Sequence, residues 1–104
     1  MDVAVAVDRE ADGRVLVKLQ TAAWEINVRA KEVELAKLAD IRTADWSQRR
    51  SIAVGESVQA PVFWASSGDD ATIMIGHDDE TWDVAVTVPT EVVERIARAS
   101  EQQV

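Results

Sequence analysis

The sequence feature that most constrains the fold is the alternation of apolar residues with small or polar ones in short runs. The clearest run is TWDVAVTV, residues 81–88, in which Trp82 and the three valines would share one face of a strand. Half-buried antiparallel strands show this pattern. The same alternation occurs at 3–7 and 15–19, on either side of an Asp-Gly turn signal at 12–13. These runs predict a mainly antiparallel sheet.

Two segments lack the two-residue alternation of a strand and have instead the composition and residue spacing of a helix. Residues 31–41 are rich in Ala, Glu, Leu and Lys, which favour helices. Residues 90–103 begin with a capping Thr90 and carry acid–base pairs four residues apart, Glu91 with Arg95 and Glu94 with Arg98. We therefore expect a single α+β domain over residues 1–104, with an antiparallel sheet of about five to six strands, one central helix and one C-terminal helix.

The composition limits the classes of protein that the chain can belong to. A length of 104 residues with 47% hydrophobic and 29% charged residues is typical of one globular domain. Cysteine is absent, which excludes disulfides and thiol chemistry. Asp2 stands where a signal peptide would be basic, and no apolar run is long enough for a membrane span. We expect a cytoplasmic protein without a cofactor.

The distribution of charge is the main functional signal. The net charge of −8 argues against binding to nucleic acid or to an anionic membrane surface. Residues 1–50 hold equal numbers of acids and bases, whereas residues 51–94 hold nine acids and neither Lys nor Arg. This segment predicts a docking surface for a protein partner with a basic surface, although such charge runs are commonly solvated faces.

The stretch GHDDETW, residues 76–82, contains the chain's one histidine beside three acids. A site for a metal ion or for proton transfer would need further ligands, and Asp69 and Asp70 lie at the far end of the preceding strand, about 23 Å away. Gly and Asp are also the residues that turns use. We interpret the stretch as a solvated hairpin turn, with a weak cation or proton-transfer site as the alternative. We assign no catalytic residue and no metal ligand.

The four tryptophans divide into core and surface candidates. Trp24 and Trp82 fall on the apolar faces of their strands, which predicts that both are buried. Phe63 and Trp64 are adjacent on a strand, so one of them must leave the core face. Exposed tryptophans are frequent interface anchors. The candidate protein-binding residues are therefore Trp46, Trp64, Asp69, Asp70, Asp78, Asp79 and Glu80.

In size, acidity, lack of cysteine and phrases such as RRSIAVG, PVFWAS and DDETWDVAV, the chain resembles the small acidic immunity proteins of bacterial toxin systems. The resemblance covers residues 50–88. It implies a non-enzymatic cytoplasmic protein that binds a cognate toxin, often a nuclease, and blocks its active site. Two alternatives stay open from the residues alone: a homodimeric structural or accessory protein, and a small-ligand-binding protein or enzyme of unknown reaction.

Overall fold

The computed structural model describes residues 2–101, and within them seven strands form one antiparallel sheet whose spatial order follows the chain. This confirms the α+β class and the antiparallel sheet, with seven strands rather than five to six. The strands are β1 Ala4–Arg9, β2 Val15–Gln20, β3 Glu25–Ala30, β4 Ile52–Ser57, β5 Ala60–Ser67, β6 Asp70–Gly76 and β7 Trp82–Pro89.

Short turns join most of these strands. The β1–β2 turn contains Gly13 at a φ of 88°, a conformation that glycine adopts without steric cost. The β2–β3 turn has no glycine. There the hydroxyl of Thr21 accepts hydrogen bonds from the backbone N–H groups of Ala23 and Trp24, at 3.1 and 3.2 Å. This local side-chain bonding replaces the backbone freedom of glycine and makes QTAA a turn.

The two predicted helical regions are present, and the first differs in type. It begins as α1, Glu32–Leu35, and continues as a 3₁₀ helix over Ala36–Thr43, followed by a second 3₁₀ helix at Trp46–Gln48. The C-terminal helix α2 spans Thr90–Glu101. The last two residues of its predicted range, 102 and 103, lie outside the described residues.

One face of the sheet packs against α2 and the 3₁₀ helix Ala36–Thr43 and forms the core. The pairing of Val17 with Val28 and of Trp64 with Ile73 places alternate strand residues on this face. The helical elements supply fully or nearly fully buried apolar side chains to it: Leu35, Leu38, Ile41, Val92, Val93, Ile96 and Ala97.

Trp64 lies at the centre of this core with no exposed surface. Its indole Nε1–H donates a hydrogen bond of 3.0 Å to the backbone carbonyl oxygen of Val54 on the neighbouring strand. Phe63 consequently points to the opposite face, where it is half-buried. The prediction that Trp64 is a surface anchor is therefore wrong, because the ring fills the space between sheet and helices.

The pairing of β6 with β7 contains an irregularity that moves Trp82 out of the core. Ile75 pairs with Val84, but Gly76 pairs with Trp82, so β7 has an additional residue at this point. The additional residue, Asp83, shifts the alternation, so that Trp82 before it and Val84 after it lie on opposite faces of the sheet. Trp82 is 38% exposed, and the prediction that it is buried is wrong. A Cβ atom on Gly76 would lie 2.7 Å from the carbonyl oxygen of Thr81, so the bulge requires glycine here.

We expect Trp64→Phe to lower the free energy of unfolding by about 1–3 kcal/mol, because the buried carbonyl of Val54 loses its donor. Trp46→Phe, which keeps an aromatic ring at a half-buried position against Trp82, should lower it by about 1 kcal/mol or less. Urea unfolding followed by circular dichroism measures both. Equal losses in the two variants would contradict the role given to the indole of Trp64.

Candidate protein-binding face

The loop between β6 and β7 is a turn stabilised by one of its own carboxylates. The Oδ1 atom of Asp78 accepts hydrogen bonds from the backbone N–H groups of Glu80 and Thr81, at 2.8 and 2.6 Å. The N–H of His77 donates to the carbonyl oxygen of Thr81 at 2.9 Å. The backbone donors at Glu80 and Thr81 hold the pKa of the Asp78 carboxyl below its ordinary value of 3.8. These contacts give GHDDETW the geometry of a hairpin turn.

A second contact ties this loop to the segment that precedes β4. The hydroxyl of Ser51 donates a hydrogen bond of 2.9 Å to the Oδ2 atom of Asp79. This bond holds the loop against the chain that leaves the second 3₁₀ helix, the segment that carries Trp46.

The two segments also meet through their tryptophans. The rings of Trp46 and Trp82 stand edge to face, with centroids 6.0 Å apart and planes at 74°. The guanidinium of Arg49 lies 4.2 Å from the centroid of the Trp46 ring, a cation–π geometry. We call the surface formed by Trp46, Trp82, Asp78, Asp79 and Glu80 the acidic–aromatic face.

The outer face of the sheet beneath this region is more buried than alternation predicts. Met74 and Ala65 are 1% and 0% exposed, yet neither belongs to the main core cluster. Their partners across the strands, Phe63 and Thr72, lie on the side opposite Trp64. Trp82 stands opposite Gly76, two residues along β6 from Met74, and so shares their side. The acidic–aromatic face therefore has a packed apolar base.

The remaining predicted acids lie elsewhere. Asp69 and Asp70 are at the opposite end of β6, at the turn that leads back from β5. A carboxylate oxygen of Asp69 is 3.7 Å from the guanidinium of Arg42, which also pairs with Glu94 at 3.1 Å. Arg42 holds the pKa of the Glu94 carboxyl below its ordinary value. The structure thus brings Trp46, Asp78, Asp79 and Glu80 together but not Asp69 or Asp70.

Pairing with arginines reduces the acidic segment to a smaller area. Arg14 pairs with Glu56 at 3.1 Å, Arg42 with Glu94 and Asp69, and Arg95 with Glu91 at 3.7 Å. Among residues 2–101, no Lys or Arg forms a salt bridge with the four acids at the start of β7 and in the loop before it: Asp78, Asp79, Glu80 and Asp83. Most of the acids of residues 51–94 without a salt bridge therefore adjoin the half-buried Trp46 and the exposed Trp82, and Asp70, at the far end of β6, is the remaining one.

Within the described part of the chain, no three His, Asp or Glu side chains come close enough to hold a metal ion. Residues 2–101 also contain no helix with the length and apolar character that crossing a membrane requires. Sequence reasoning missed Trp82 as a member of the face, although Gly76 inside a strand pattern is a signal of a bulge.

Comparison of the chain with family models, with curated proteins and with solved structures finds no match.

We expect Asp78→Ala to destabilise the protein at neutral pH, because the backbone N–H groups of Glu80 and Thr81 lose their acceptor. The folded pKa of Asp78 is depressed, so this stabilisation is present above the unfolded pKa and is lost as the pH falls through the folded value. The difference in unfolding free energy between wild type and Asp78→Ala should therefore shrink below about pH 4. Glu80→Gln, which alters a neighbouring charge, is the control. A difference that is the same at neutral and acid pH would contradict the assignment.

Proposed function

We propose that the protein is a non-enzymatic binding module that docks a basic surface of a protein partner on its acidic–aromatic face. The observation that carries the proposal is the position of the edge-to-face Trp46–Trp82 pair beside three carboxylates without salt-bridge partners among residues 2–101. Unpaired acids attract a basic partner and raise its association rate, while tryptophans supply binding energy once they are covered.

The packing of the face also favours binding. The loop is fixed by Asp78 and by the Ser51–Asp79 bond, and the Trp46 ring is held between Trp82 and Arg49. Side chains that are already ordered lose less conformational entropy when a partner binds. A rigid arrangement of this kind is suited to an inhibitor that must present a preformed surface.

The resemblance to immunity proteins makes a bacterial toxin the partner that we propose. Nuclease toxins fit best, because a surface that binds phosphates is basic. In this proposal the protein acts in the cytoplasm and covers the toxin's active-site surface without modifying it. No catalytic residue, metal ion or cofactor takes part.

The direct test measures binding to a purified basic toxin-like protein encoded beside the gene, using titration calorimetry. The triple variant Asp78→Asn, Asp79→Asn, Glu80→Gln should bind at least about tenfold more weakly and should lose most of the salt dependence of binding. Asn at position 78 keeps an oxygen acceptor for the turn. Trp46→Ala should weaken binding about 30-fold, as expected for an anchor that contributes about 2 kcal/mol.

A matched control distinguishes an effect of where the negative charge lies from an effect of the net charge of the protein. The variant Asp2→Asn, Asp40→Asn, Asp70→Asn changes the net charge equally but leaves the acidic–aromatic face intact. It should bind like wild type. Equal weakening by both triple variants would show a general charge effect and would refute the proposed face.

A second candidate is a homodimer formed through β7. This strand is the last in the sheet, so one of its edges has no strand beside it among residues 2–101, and Val84 on it is 47% exposed. Such edges pair readily with another strand. Sedimentation equilibrium distinguishes the two: a monomer at high protein concentration removes the homodimer.

A further inference from the structure

A cleft of about 720 Å³ opens where β3 and the β4–β5 hairpin diverge. Its apolar lining comes from Ile26, Ile75 and Val84, and acidic side chains, Glu25 and Asp83, stand among the lining residues. A volume of this size with an apolar lining and a few polar groups is typical of a binding site. Asp83 also borders the acidic–aromatic face, since it follows Trp82 in the chain.

The cleft exists because β4 is too short to cover its neighbour. Arg29 and Glu56 are the one residue pair that joins β3 to β4 among residues 2–101, and β4 ends immediately afterwards at Ser57. The β2–β3 turn fixes which backbone groups of β3 face away from β2, because its closing bond runs from the N–H of Thr21 to the carbonyl of Trp24. Alternation from that bond turns the N–H and C=O groups at positions 25 and 27 towards the cleft.

One side-chain atom at the cleft, Oδ1 of Asn27, lacks a hydrogen-bond partner among residues 2–101. The Nδ2 group of Asn27 donates to Glu25 Oε2 at 3.0 Å, which fixes the orientation of the amide. The Oδ1 atom of the same amide is buried and accepts no hydrogen bond from residues 2–101. Buried polar atoms are nearly always bonded, so an orphaned acceptor indicates a missing donor. A ligand that enters the cleft and opens the packing around this atom supplies that donor.

The mouth of the cleft carries an exposed apolar residue in a strained backbone conformation. Val58 has a φ of 53° and is 93% exposed, and the next residue, Gln59, has a φ of 67°. A β-branched residue at positive φ is an outlier, because turns of this kind normally use Asn or Gly. Strain of this type is concentrated at functional sites. The methyl groups of Val58 extend the apolar lining outward.

The charges of the cleft select a cation. Neither Glu25 nor Asp83 forms a salt bridge with a Lys or Arg of residues 2–101, whereas the one cation in the lining, Arg29, is held by Glu10 at 2.9 Å. An occupant that matches every group has an apolar stem for the isoleucines and valines and a cationic head with several N–H donors. Arginine has both, with five donors on a planar head.

We propose that the cleft receives an arginine side chain from an extended segment of the basic partner. Its methylene groups lie along the apolar lining, and its guanidinium donates to Asn27 Oδ1 and to the Glu25 carboxylate that this amide already contacts, while Asp83 adds negative charge from β7. This inference rests on the proposed function, and it names the residue type by which the partner would be anchored beside the acidic–aromatic face.

The test uses N-acetyl-arginine N-methylamide as the probe, with the citrulline analogue as its uncharged counterpart. Nuclear magnetic resonance titration should show saturable shifts at the methyl groups of Ile26, Ile75 and Val84 and at the side-chain amide of Asn27. The citrulline probe should bind at least tenfold more weakly. Absence of saturable shifts, equal binding of the two probes, or shifts centred on Trp46 instead of the cleft would each overturn the inference.

Two variants distinguish recognition from a structural role. Asn27→Leu removes the orphaned acceptor, so it should leave the melting temperature unchanged or raise it while weakening the arginine probe at least tenfold. Asp83→Asn should weaken the probe and leave the fold intact. Thr87→Leu, an exposed polar-to-apolar change on β7 outside the cleft lining, is the matched control and should leave binding unchanged. Full affinity in Asn27→Leu would refute the role of its amide.

The same variants tested against the whole partner separate this inference from the proposed function. If the triple variant of the acidic–aromatic face weakens binding but Asn27→Leu and Asp83→Asn do not, the proposed face is supported and the arginine site is refuted. If none of them weakens binding, both proposals fall. If the cleft variants alone weaken it, the cleft replaces the face as the principal contact.

Discussion

The burial of one face of the sheet against α2 and the 3₁₀ helix Ala36–Thr43 is the constraint on which the rest of the structure depends. Apart from β3 and β4, which the helical segment separates, neighbouring strands are joined by short turns and pair locally, but the apolar face of the sheet still has to be covered. Val93 and Ile96 of α2 are fully buried on it, and each such side chain contributes about 1.5–3 kcal/mol. Trp64 fills the interior and ties β5 to β4 through its indole N–H. Because the core is complete on this side, the residues of the outer face and of the sheet edges are not needed for it and are available to contact a partner.

Alternation in the sequence predicts the strands well because the side-chain period of a strand is independent of its surroundings. It does not decide which of two adjacent aromatic residues is buried. Trp64 is inside because helical elements from distant parts of the chain cover its face of β5, and local alternation does not specify which face they cover. The face of Trp82 was mispredicted for a related reason, since a bulge adds one residue to β7 and changes the register. Gly76 is a local sign of that bulge, but a single glycine also fits an ordinary strand end or turn.

For the charged residues too, local contacts could be predicted from the sequence and contacts between distant residues could not. The turn at Asp78 was predictable because its carboxylate bonds to backbone groups two and three residues away. The neutralisation of Glu56 by Arg14 and of Glu94 by Arg42 was not, because these partners are 42 and 52 residues apart. Counting charges along the chain therefore overstates the acidic surface. Apart from Asp70 at the far end of β6, the acids of residues 51–94 without a salt bridge lie in the loop before β7 and at the start of that strand, beside Trp82.

The bulge at Gly76 connects the two surfaces that we propose for binding. Because β7 changes register there, Trp82 lies on the outer side of the sheet while Val84 lies on the side of the cleft. Both side chains are partly exposed for the same geometric reason, and Asp83 stands between them. A regular ladder would have placed Trp82 and Val84 on one face and removed the aromatic contact with Trp46. One additional residue in a strand thus places Trp82 on the outer side of the sheet and Val84 in the lining of the cleft, with Asp83 between them in the chain.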